Sequence, residues 1–401
     1  MAVLQWLLLI VEGWIALPIA YLFLLSLSAL LAARRRTMQN ARPVSGQVRF
    51  ALLIPAHNEE MILRTLLESL ALLDYPKDRY TVYVIADNCT DKTAELARQT
   101  GGVEVYERFD VDRRGKGYAL NWMWQQLKER HLTYDAYVIL DADSVVVPAF
   151  LRAMERELAG GARALQACNT VLNVTASPST ALRWIALTLI NHVRPLGRNG
   201  IGASSTLTGN GMCLSHDLLE RHPWQAFGIA EDYQYYLTLV EHGERVRYVP
   251  EAVVRSQMPT TFAQMRTQDV RWEASGQQQS QWRIALRLLK AAIRSRSLLH
   301  IEAVAELLTP PLSFLVLACL VTLVASILLW SLPAVVLNLA LWSALFCYIA
   351  TAFYLLRPPQ SVYKALLHAP GFMLWKLWVY FVLSRSKKHT SEWVRTKRIS
   401  S

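Results

Sequence analysis

The sequence predicts an α/β domain, built on a mostly parallel sheet, that lies between membrane-spanning helices. Residues 49–256 alternate short β-rich runs with helical patterns, and strands that alternate with helices form parallel sheets covered on both faces. Long apolar stretches stand on both sides of this region. The chain of 401 residues is 53% hydrophobic and only 18% charged, which is too apolar for an ordinary soluble protein.

Three of the four predicted strands end in polar clusters. The strands lie in VRFALLIPAHNEE, YTVYVIADNCTD, VEVYERF and DAYVILDAD, and helices are predicted in EEMILRTLLESLALL and DKTAELARQT. Ligands of open α/β sheets bind beyond the carboxyl ends of the strands. The polar clusters at those ends are His57-Asn58-Glu59, Asp87-Asn88 and Asp141-Ala142-Asp143. We therefore expect the functional site at this edge of the sheet.

Asp141 and Asp143 close the fourth strand with one residue between them. Alternate residues of an extended chain point the same way, so both carboxylates are expected to face one site. Two carboxylates with open positions beside them suit Mg²⁺ or Mn²⁺, which keep ligands such as phosphate oxygens. The alternative, two solvated acids in a turn, is the default interpretation of so short a motif when it stands alone.

Asp87 and Lys116 are further candidates at this edge. Asp87 is placed to accept hydrogen bonds from a nucleoside base or ribose; its alternative role is helix capping, for which Thr90 or Asp91 is better placed. Lys116 lies between two glycines in RRGKGYAL and suits a nearby phosphate or acid. This loop is not a Walker A loop, and no GxGxxG follows the first strand, which argues against a dinucleotide dehydrogenase.

Glu231 and Asp232 precede a helical run in IAEDYQYYLTLVEHG. A carboxylate near a helix N-terminus is stabilised as the anion, and a general base must be unprotonated to accept a proton. The alternative is a pair of capping acids.

The string QDVRW places Gln268, Arg271 and Trp272 on one face of a helix. There Arg271 suits a diphosphate leaving group, and Trp272 suits stacking on a sugar with Gln268 hydrogen-bonding beside it. The alternative is an amphipathic surface helix with a buried Trp.

Membrane segments are predicted at both ends of the chain. Residues 4–33 carry a single charge, Glu12, and exceed the roughly 20 residues that span a bilayer, so we expect an uncleaved span followed by a cytoplasmic ARRR. Residues 307–356 carry no charge, and WSLPAVV interrupts them near the middle, which indicates two spans joined by a tight turn. Residues 370–385, with Lys376 near the centre, are expected to form an interfacial or re-entrant helix.

The segment WRIALRLLKAAIRSRS predicts a basic amphipathic helix on an anionic membrane surface, with Leu288, Leu289 and Ala292 opposite the basic residues. The alternative is a solvated helix face. The net charge of +11 does not indicate nucleic-acid binding, because many basic residues flank apolar segments. The five cysteines form no CxxC motif, so neither a zinc site nor a disulfide framework is expected.

Taken in order, seven strings resemble the membrane-bound family 2 glycosyltransferases, the group that contains hyaluronan, chitin, cellulose and poly-N-acetylglucosamine synthases. They are IPAHNE, VIADNCTD, GKGYALNW, DADS, LTGNGM, AED and QDVRW. The resemblance covers roughly residues 49–275, and WVRTKR near the C-terminus is similar to the closing motif of the family.

The resemblance implies a GT-A fold, a UDP-sugar donor and Mg²⁺ or Mn²⁺. It implies that Asp232 is the general base of an inverting transfer and that Asp143, with Asp141, holds the diphosphate through the metal. Ala230 stands where the family usually has Thr or Gly. The positions expected to bind nucleotide or substrate are Ala56, Glu59, Asp87, Lys116, Asp141, Glu231, Gln268, Arg271 and Trp272.

The expected acceptor is a growing polysaccharide, because a Trp beside the site suits an acceptor sugar, with a partner subunit or self-association providing export. The alternative is the transfer of a single sugar to a lipid or lipid-linked acceptor. A protein that only binds nucleotide-sugar is disfavoured by the full set of acids. The expected location is a bacterial-type cytoplasmic membrane, crossed several times, with the catalytic domain in the cytoplasm. We expect a transmembrane helix in residues 1–34, the catalytic domain in 49–256, and QDVRW with the amphipathic helix in 257–306. Two transmembrane helices are expected in 307–356, and an interfacial or re-entrant helix with a basic tail in 357–401.

Overall fold

A computed structural model describes residues 1–39, 44–228, 230–260 and 281–385. Gln268, Arg271 and Trp272 lie outside the described residues, as does the C-terminal WVRTKR, so their predicted roles stay predictions.

The described part contains one eight-stranded sheet with the order β3-β2-β1-β4-β7-β6-β8-β5. Its strands are β1 (Phe50–Ala56), β2 (Tyr80–Asp87), β3 (Glu104–Arg108), β4 (Ala136–Ile139), β5 (Ser144–Val146), β6 (Ala164–Val171), β7 (Met212–Ser215) and β8 (Val246–Ser256). The four predicted strands are present, and β1 pairs in parallel with β2 and β4. The second half differs from the expected mostly parallel sheet, because β7 runs antiparallel to both β4 and β6. The sheet is therefore mixed.

Helices cover both faces of the sheet. In chain order the helices are α1 (Ala2–Gln39), α2 (Leu63–Ala71), α3 (Thr93–Thr100), α4 (Lys116–Glu129), α5 (Phe150–Ala159), α6 (Pro178–Thr188), α7 (Arg194–Gly200), α8 (His216–Arg221), α9 (Glu231–Glu241), α10 (Gln281–Ser295), α11 (Leu298–Leu308), α12 (Leu312–Leu328), α13 (Leu332–Leu356), α14 (Gln360–Ala365) and α15 (Ala369–Arg385). A π-helical turn (Leu189–Val193) joins α6 to α7. One core lies between the sheet and α4, α9, α10 and α11, and a second lies between the sheet and α2 and α5.

The apolar helices form a third core with α6 and α7. Two helices, residues 2–36 of α1 and the whole of α13, are long and apolar enough to cross a membrane. A third candidate is the pair α11 and α12, which is bent by 67° at the break between them. The predicted interruption near Trp330 is present, since α12 ends at Leu328 and α13 begins at Leu332. The predicted interfacial segment forms α15.

The predicted amphipathic helix is present as α10, but its faces differ from the prediction. Leu288 and Ala292 are buried, with Leu288 in the first core of the α/β domain, whereas Leu289 is exposed. Leu289, which was expected on the same face as Leu288 and Ala292, instead belongs to a second apolar stripe that points away from the domain. The helix thus has two apolar faces, because its leucines and isoleucines occur on both sides of the basic residues.

Candidate active site

The loops that follow β1 and β2 lie against each other at the carboxyl edge of the sheet. His57 Nδ1 lies 2.7 Å from the carbonyl oxygen of Asp87. Asn58, with a φ of 56°, accepts a hydrogen bond from the Thr90 backbone N–H at 2.8 Å through its side-chain oxygen. Asn and Asp tolerate such left-handed backbone better than most residues. The two loops therefore form one surface at the place where the polar clusters were expected.

Asp87 is buried and paired. Its Oδ1 accepts a hydrogen bond from Arg108 Nη1 at 2.6 Å, and Arg108 also bonds Asp110 and the carbonyl of Arg113. Asp87 is not the cap of α3: the N-cap position is Lys92, and the first N–H of the helix, that of Thr93, donates to Asp91 Oδ1 at 3.0 Å. Asp87 is thus fixed in orientation by Arg108, a residue that the sequence did not single out.

Ala56 and Glu59 occupy the same edge. Ala56 is the last residue of β1, and its carbonyl accepts a hydrogen bond from the Cys89 thiol at 3.4 Å. The Glu59 backbone N–H donates to Thr93 Oγ1 at 2.8 Å. Both positions border the surface formed by the two loops.

Asp141 and Asp143 lie beyond the end of the strand, so the prediction that they close the fourth strand is wrong. β4 ends at Ile139, and the Ser144 N–H donates to the Asp141 carbonyl at 3.2 Å, which closes a turn over the two acids. The alternation of an extended strand therefore does not orient them. The turn is held from below by Asn210, whose Oδ1 accepts from the Asp141 N–H at 3.1 Å and whose Nδ2 donates to Ser144 Oγ at 2.7 Å.

Lys116 joins this turn to the loop before β7. Its ammonium donates to Asp141 Oδ1 and to the Gly209 carbonyl, each at 2.5 Å. Burial by itself lowers the pKa of Lys116, but the neighbouring Asp141 and Glu231 raise it more, so the net shift is upward. The lysine is therefore a fixed positive charge beside the first acid of the motif.

Glu231 and Asp232 are the first two residues of α9. A Cβ built on Gly209 would lie 2.9 Å from Asp232 Oδ2 and 3.6 Å from Lys116 Nζ, so only glycine allows this approach. Burial raises the pKa of Asp232, and Lys116 opposes the shift. Burial and the charge of Asp232 together raise the pKa of Glu231 to about 8, so this carboxyl holds its proton more readily than an exposed glutamate does.

The loop before α9 also touches the start of α4. A Cβ on Gly117 would lie 2.1 Å from the carbonyl oxygen of Ala226, and the rings of Tyr118 and Phe227 stack with centroids 4.5 Å apart. Glycine at position 117 is therefore required for the close approach that brings Lys116 toward Asp232.

The donor chemistry of Asp141 and Asp143 fits a divalent cation. Both supply carboxylate oxygens, and Asp141 already faces the cationic head of Lys116. Within residues 1–39, 44–228, 230–260 and 281–385, no three His, Cys, Asp or Glu side chains form a complete metal cage. A divalent ion here would keep phosphate and water ligands, as Mg²⁺ and Mn²⁺ sites commonly do.

Two residues of this site have no signal in the sequence. Arg108 ends a strand among other charged residues, and Asn210 is one of several small polar residues in STLTGNGM. Each acts through partners far along the chain, Asp87 in one case and Asp141 with Ser144 in the other. LTGNGM entered the prediction only through the family resemblance.

Several known proteins are similar to this chain in sequence. The probable glycosyltransferase YdaM of Bacillus subtilis strain 168 is 27% identical over 248 residues, which cover 57% of this chain and 55% of the relative. The β-monoglucosyldiacylglycerol synthase of Nostoc sp. strain PCC 7120 is 28% identical over 274 residues, or 64% of this chain and 56% of the relative. The chain thus matches little more than half the length of these curated relatives.

Among solved structures, the mannosyltransferase PcManGT from Pyrobaculum calidifontis, in complex with GDP-Man and Mn²⁺, has a TM-score of 0.50 and 21% sequence identity. The alignment covers 85% of this chain and 97% of that one. This likeness confirms the expected GT-A-like fold. The family model described as "Glycosyltransferase like family 2" matches residues 47–275. A match over more than half of the chain, on the residues that build this site, shows that the protein belongs to glycosyltransferase-like family 2.

Proposed function

We propose that the chain transfers a single sugar from a UDP-sugar to a lipid acceptor at a membrane surface, with inversion at the anomeric carbon. The observation that carries this proposal is the meeting of Asp232, Lys116 and Asp141 around Gly209. At this point the carboxylate of Asp232, at the N-terminus of α9, lies beside the ammonium of Lys116 and the carboxylate of Asp141. Proton removal and stabilisation of a leaving diphosphate need these two kinds of group together.

Asp232 takes the proton from the acceptor hydroxyl while that oxygen attacks the anomeric carbon. The bond from this carbon to the diphosphate oxygen breaks, and its electron pair leaves with UDP. The N-terminal dipole of α9 and Lys116 both favour the ionised form of Asp232. Burial and Asp232 raise the pKa of Glu231 to about 8, which favours Asp232, beside Lys116, as the base.

Asp141 and Asp143 would hold Mg²⁺ or Mn²⁺, which when bound neutralises charge on the diphosphate. The chain's own contribution is rigidity. Asn210 fixes the turn that carries both acids, and Lys116 holds Asp141. Arg108 orients Asp87 toward the nucleotide, with Glu59 on the same edge.

Gln268, Arg271 and Trp272 remain proposed as the residues that close the site over donor and acceptor. Arg271 would face the diphosphate and Trp272 the sugar.

Two facts favour a lipid acceptor over a growing polysaccharide. The relatives named β-monoglucosyldiacylglycerol synthase, at 27–28% identity, act by name on a membrane lipid. In this chain α9, which carries Asp232, packs on α11 next to the apolar helices. The polysaccharide hypothesis depends on Trp272, and the transfer assay distinguishes it from the lipid hypothesis by the length of the product.

We propose that α1, α12 and α13 lie in the cytoplasmic membrane and that the catalytic domain lies in the cytoplasm, with α11, which packs in the first core of that domain, at the boundary between them. The outward-facing apolar side chains of α10 support binding of this helix to the lipid surface. Trp282 and Ile293 are 71% and 74% exposed, and Leu286 and Leu289 between them are also exposed. Apolar side chains of this size beside basic residues are typical of interfacial helices.

The test is transfer by the full chain in nanodiscs of phosphatidylglycerol and phosphatidylcholine that contain dioleoylglycerol. UDP-glucose, UDP-N-acetylglucosamine, UDP-galactose and UDP-glucuronate are supplied with Mn²⁺ or Mg²⁺, and UDP release and lipid product are measured. Asp232→Asn should lower turnover by roughly 10²–10⁴-fold, the range for loss of a general base, while UDP binding by calorimetry is retained. Asp217→Asn, an exposed surface acid paired with Arg221, is the matched control.

A glycolipid carrying one sugar would support the proposal. A long ladder of products on a gel would instead establish polysaccharide elongation. Turnover by Asp232→Asn equal to that of the Asp217→Asn control would overturn the assignment of the base.

A further inference from the structure

We propose that Arg198 is a positioning residue that holds the helix bearing Asp232 in register with the apolar helices. The inference rests on the proposed function, because it concerns how the base meets an acceptor that lies in the membrane. Arg198 is on α7, outside every motif of the sequence. No part of the transfer chemistry described above uses it.

Arg198 is the largest fully buried side chain in the described part of the chain, at 1% exposure. Its Nε and Nη2 donate to the two carboxylate oxygens of Glu302 at 2.5 and 2.9 Å. Nη2 also donates to the hydroxyl of Tyr236 at 2.9 Å. A buried guanidinium is costly unless it is paired and hydrogen-bonded. Bidentate hydrogen bonding to a carboxylate fixes the orientation of the guanidinium as well as its position.

Tyr236 connects this ion pair to the reaction centre. It is 2% exposed and lies four residues after Asp232 on α9, so the two side chains stand on the same face, one turn apart. The bond from Arg198 therefore limits rotation and sliding of the first turns of α9. Any shift there moves the Asp232 carboxylate.

The other end of the connection is α1. A Cβ on Gly197 would lie 2.3 Å from the Leu25 carbonyl oxygen, so α7 touches α1 backbone to backbone. Ser28 Oγ donates to the Gly197 carbonyl at 2.7 Å. Tyr21, also on α1, donates to Glu302 at 2.6 Å. Arg198 and Glu302 thus join α1, α7, α9 and α11 at one buried point.

This geometry has a specific consequence for catalysis. Proton transfer requires the base within hydrogen-bonding distance of the acceptor hydroxyl, and small misplacements of a positioned group cost much of the rate. A lipid acceptor takes its position from the membrane, whereas water reaches Asp232 from any direction. Loosening α9 should therefore harm lipid transfer more than hydrolysis of the donor by water.

The experiment compares two phenols on the same helix. Tyr236→Phe removes the bond to Arg198. Tyr235→Phe, the matched control, removes the hydroxyl of an equally buried side chain, which donates to the His222 carbonyl at 2.7 Å. Lipid transfer and UDP release without lipid acceptor are measured with UDP-glucose and dioleoylglycerol nanodiscs, beside thermal unfolding of each variant.

We expect Tyr236→Phe to lower kcat for lipid transfer roughly tenfold, as for a mispositioned catalytic group, with donor hydrolysis and donor KM unchanged. Tyr235→Phe should leave the ratio of transfer to hydrolysis as in the unsubstituted protein. Glu302→Gln, which keeps the shape but removes the charge that holds Arg198, should act in the same direction as Tyr236→Phe.

Equal ratios in the two tyrosine variants, or a parallel loss of transfer and hydrolysis in Tyr236→Phe, would overturn the inference, since a purely structural ion pair predicts those results. Absence of lipid product from the unsubstituted protein would overturn the proposed function itself, and this inference with it.

Discussion

Lys116 lies between the proposed base, Asp232, and the turn that carries Asp141. Burial raises the pKa of Asp232, and the ammonium of Lys116 counteracts this rise. The same ammonium bonds Asp141, so one side chain serves both the base and the acid turn. Burial and Asp232 raise the pKa of the neighbouring Glu231 to about 8, so of the two adjacent carboxyls we propose Asp232 as the base.

Lys116→Met should move the acid limb of the pH–rate profile to higher pH. Transfer requires ionised Asp232, so the rate falls as the pH drops through its pKa, which lies above the ordinary 3.8. Without the ammonium of Lys116, the pKa of Asp232 rises further, so the acid limb of the profile moves to higher pH. The measurement is kcat against pH with UDP-glucose and lipid acceptor in excess. Lys128→Met, at the other end of α4 in a surface ion pair, is the control; a limb that stays in place or moves down in Lys116→Met contradicts the prediction.

The side chains of this site differ in how far a sequence can reveal them. Asp141, Asp143 and Asp232 stand next to recognisable strand or helix boundaries, so local pattern and family resemblance single them out as candidates. Arg108 and Asn210 owe their roles to contacts with residues 21 and 69 positions away, respectively. No local pattern encodes such a contact, because it exists only once the sheet has brought the strands together.

At the scale of elements, the site depends on a loop and a helix end that touch. The loop before β7 presses on the N-terminus of α9 at Gly209, where φ is +76°. Only a residue without Cβ fits both this backbone conformation and the 2.9 Å approach of Asp232 Oδ2. The contact sets the distance between the base and the Lys116–Asp141 pair.

Gly209→Ala should reduce transfer at least tenfold, because a methyl group would displace the Asp232 carboxylate, and small displacements of that kind cost about 10²-fold in rate. Gly243→Ala is a matched control, since Gly243 has a φ of +79° but no heavy atom within 4 Å of the point that a Cβ would occupy. Both variants carry a backbone cost of about 1–2 kcal/mol for left-handed alanine, which thermal unfolding should register equally. Comparable rates in the two variants would show that the close approach at Gly209 is irrelevant to catalysis.

The elements were predictable in unequal measure. Runs rich in Val and Ile, such as those of β1, β2 and β4, identify buried parallel strands by composition alone. The antiparallel β7 and the register shift between β6 and β8 at Ala167 and Cys168 depend on pairing between distant segments. The sequence predicts strand at Asp141 where the structure has a turn, because the apolar run of β4 continues into Leu140 and gives no sign of where strand pairing stops.

At the scale of the whole molecule, α10 is the helix that we propose connects the catalytic domain to a lipid surface. Its inner face buries Ile284 and Leu288 in the same core as α9, and its outer stripe of Trp282, Leu286, Leu289 and Ile293 faces away from the protein. The basic residues Arg283, Arg287, Lys290 and Arg294 lie along the same helix. Each basic residue near an anionic surface contributes about 1 kcal/mol of attraction, so the lipid charge should decide how firmly the stripe is seated.

Trp282 should therefore enter the acyl region of anionic bilayers. The fluorescence of Trp282 is obtained as the difference between the unsubstituted protein and Trp282→Phe. In nanodiscs with acyl-brominated lipid, this fluorescence should be strongly quenched when the lipid is phosphatidylglycerol. Quenching should be weaker with phosphatidylcholine and should decrease as salt screens the basic residues. Trp330→Phe is the control, because Trp330 is exposed at the turn between α12 and α13, far along the chain from the basic helix. Trp282 fluorescence that responds to aqueous iodide and not to brominated lipid would mean that α10 faces water, and the catalytic domain would then be held at the membrane by the apolar helices alone.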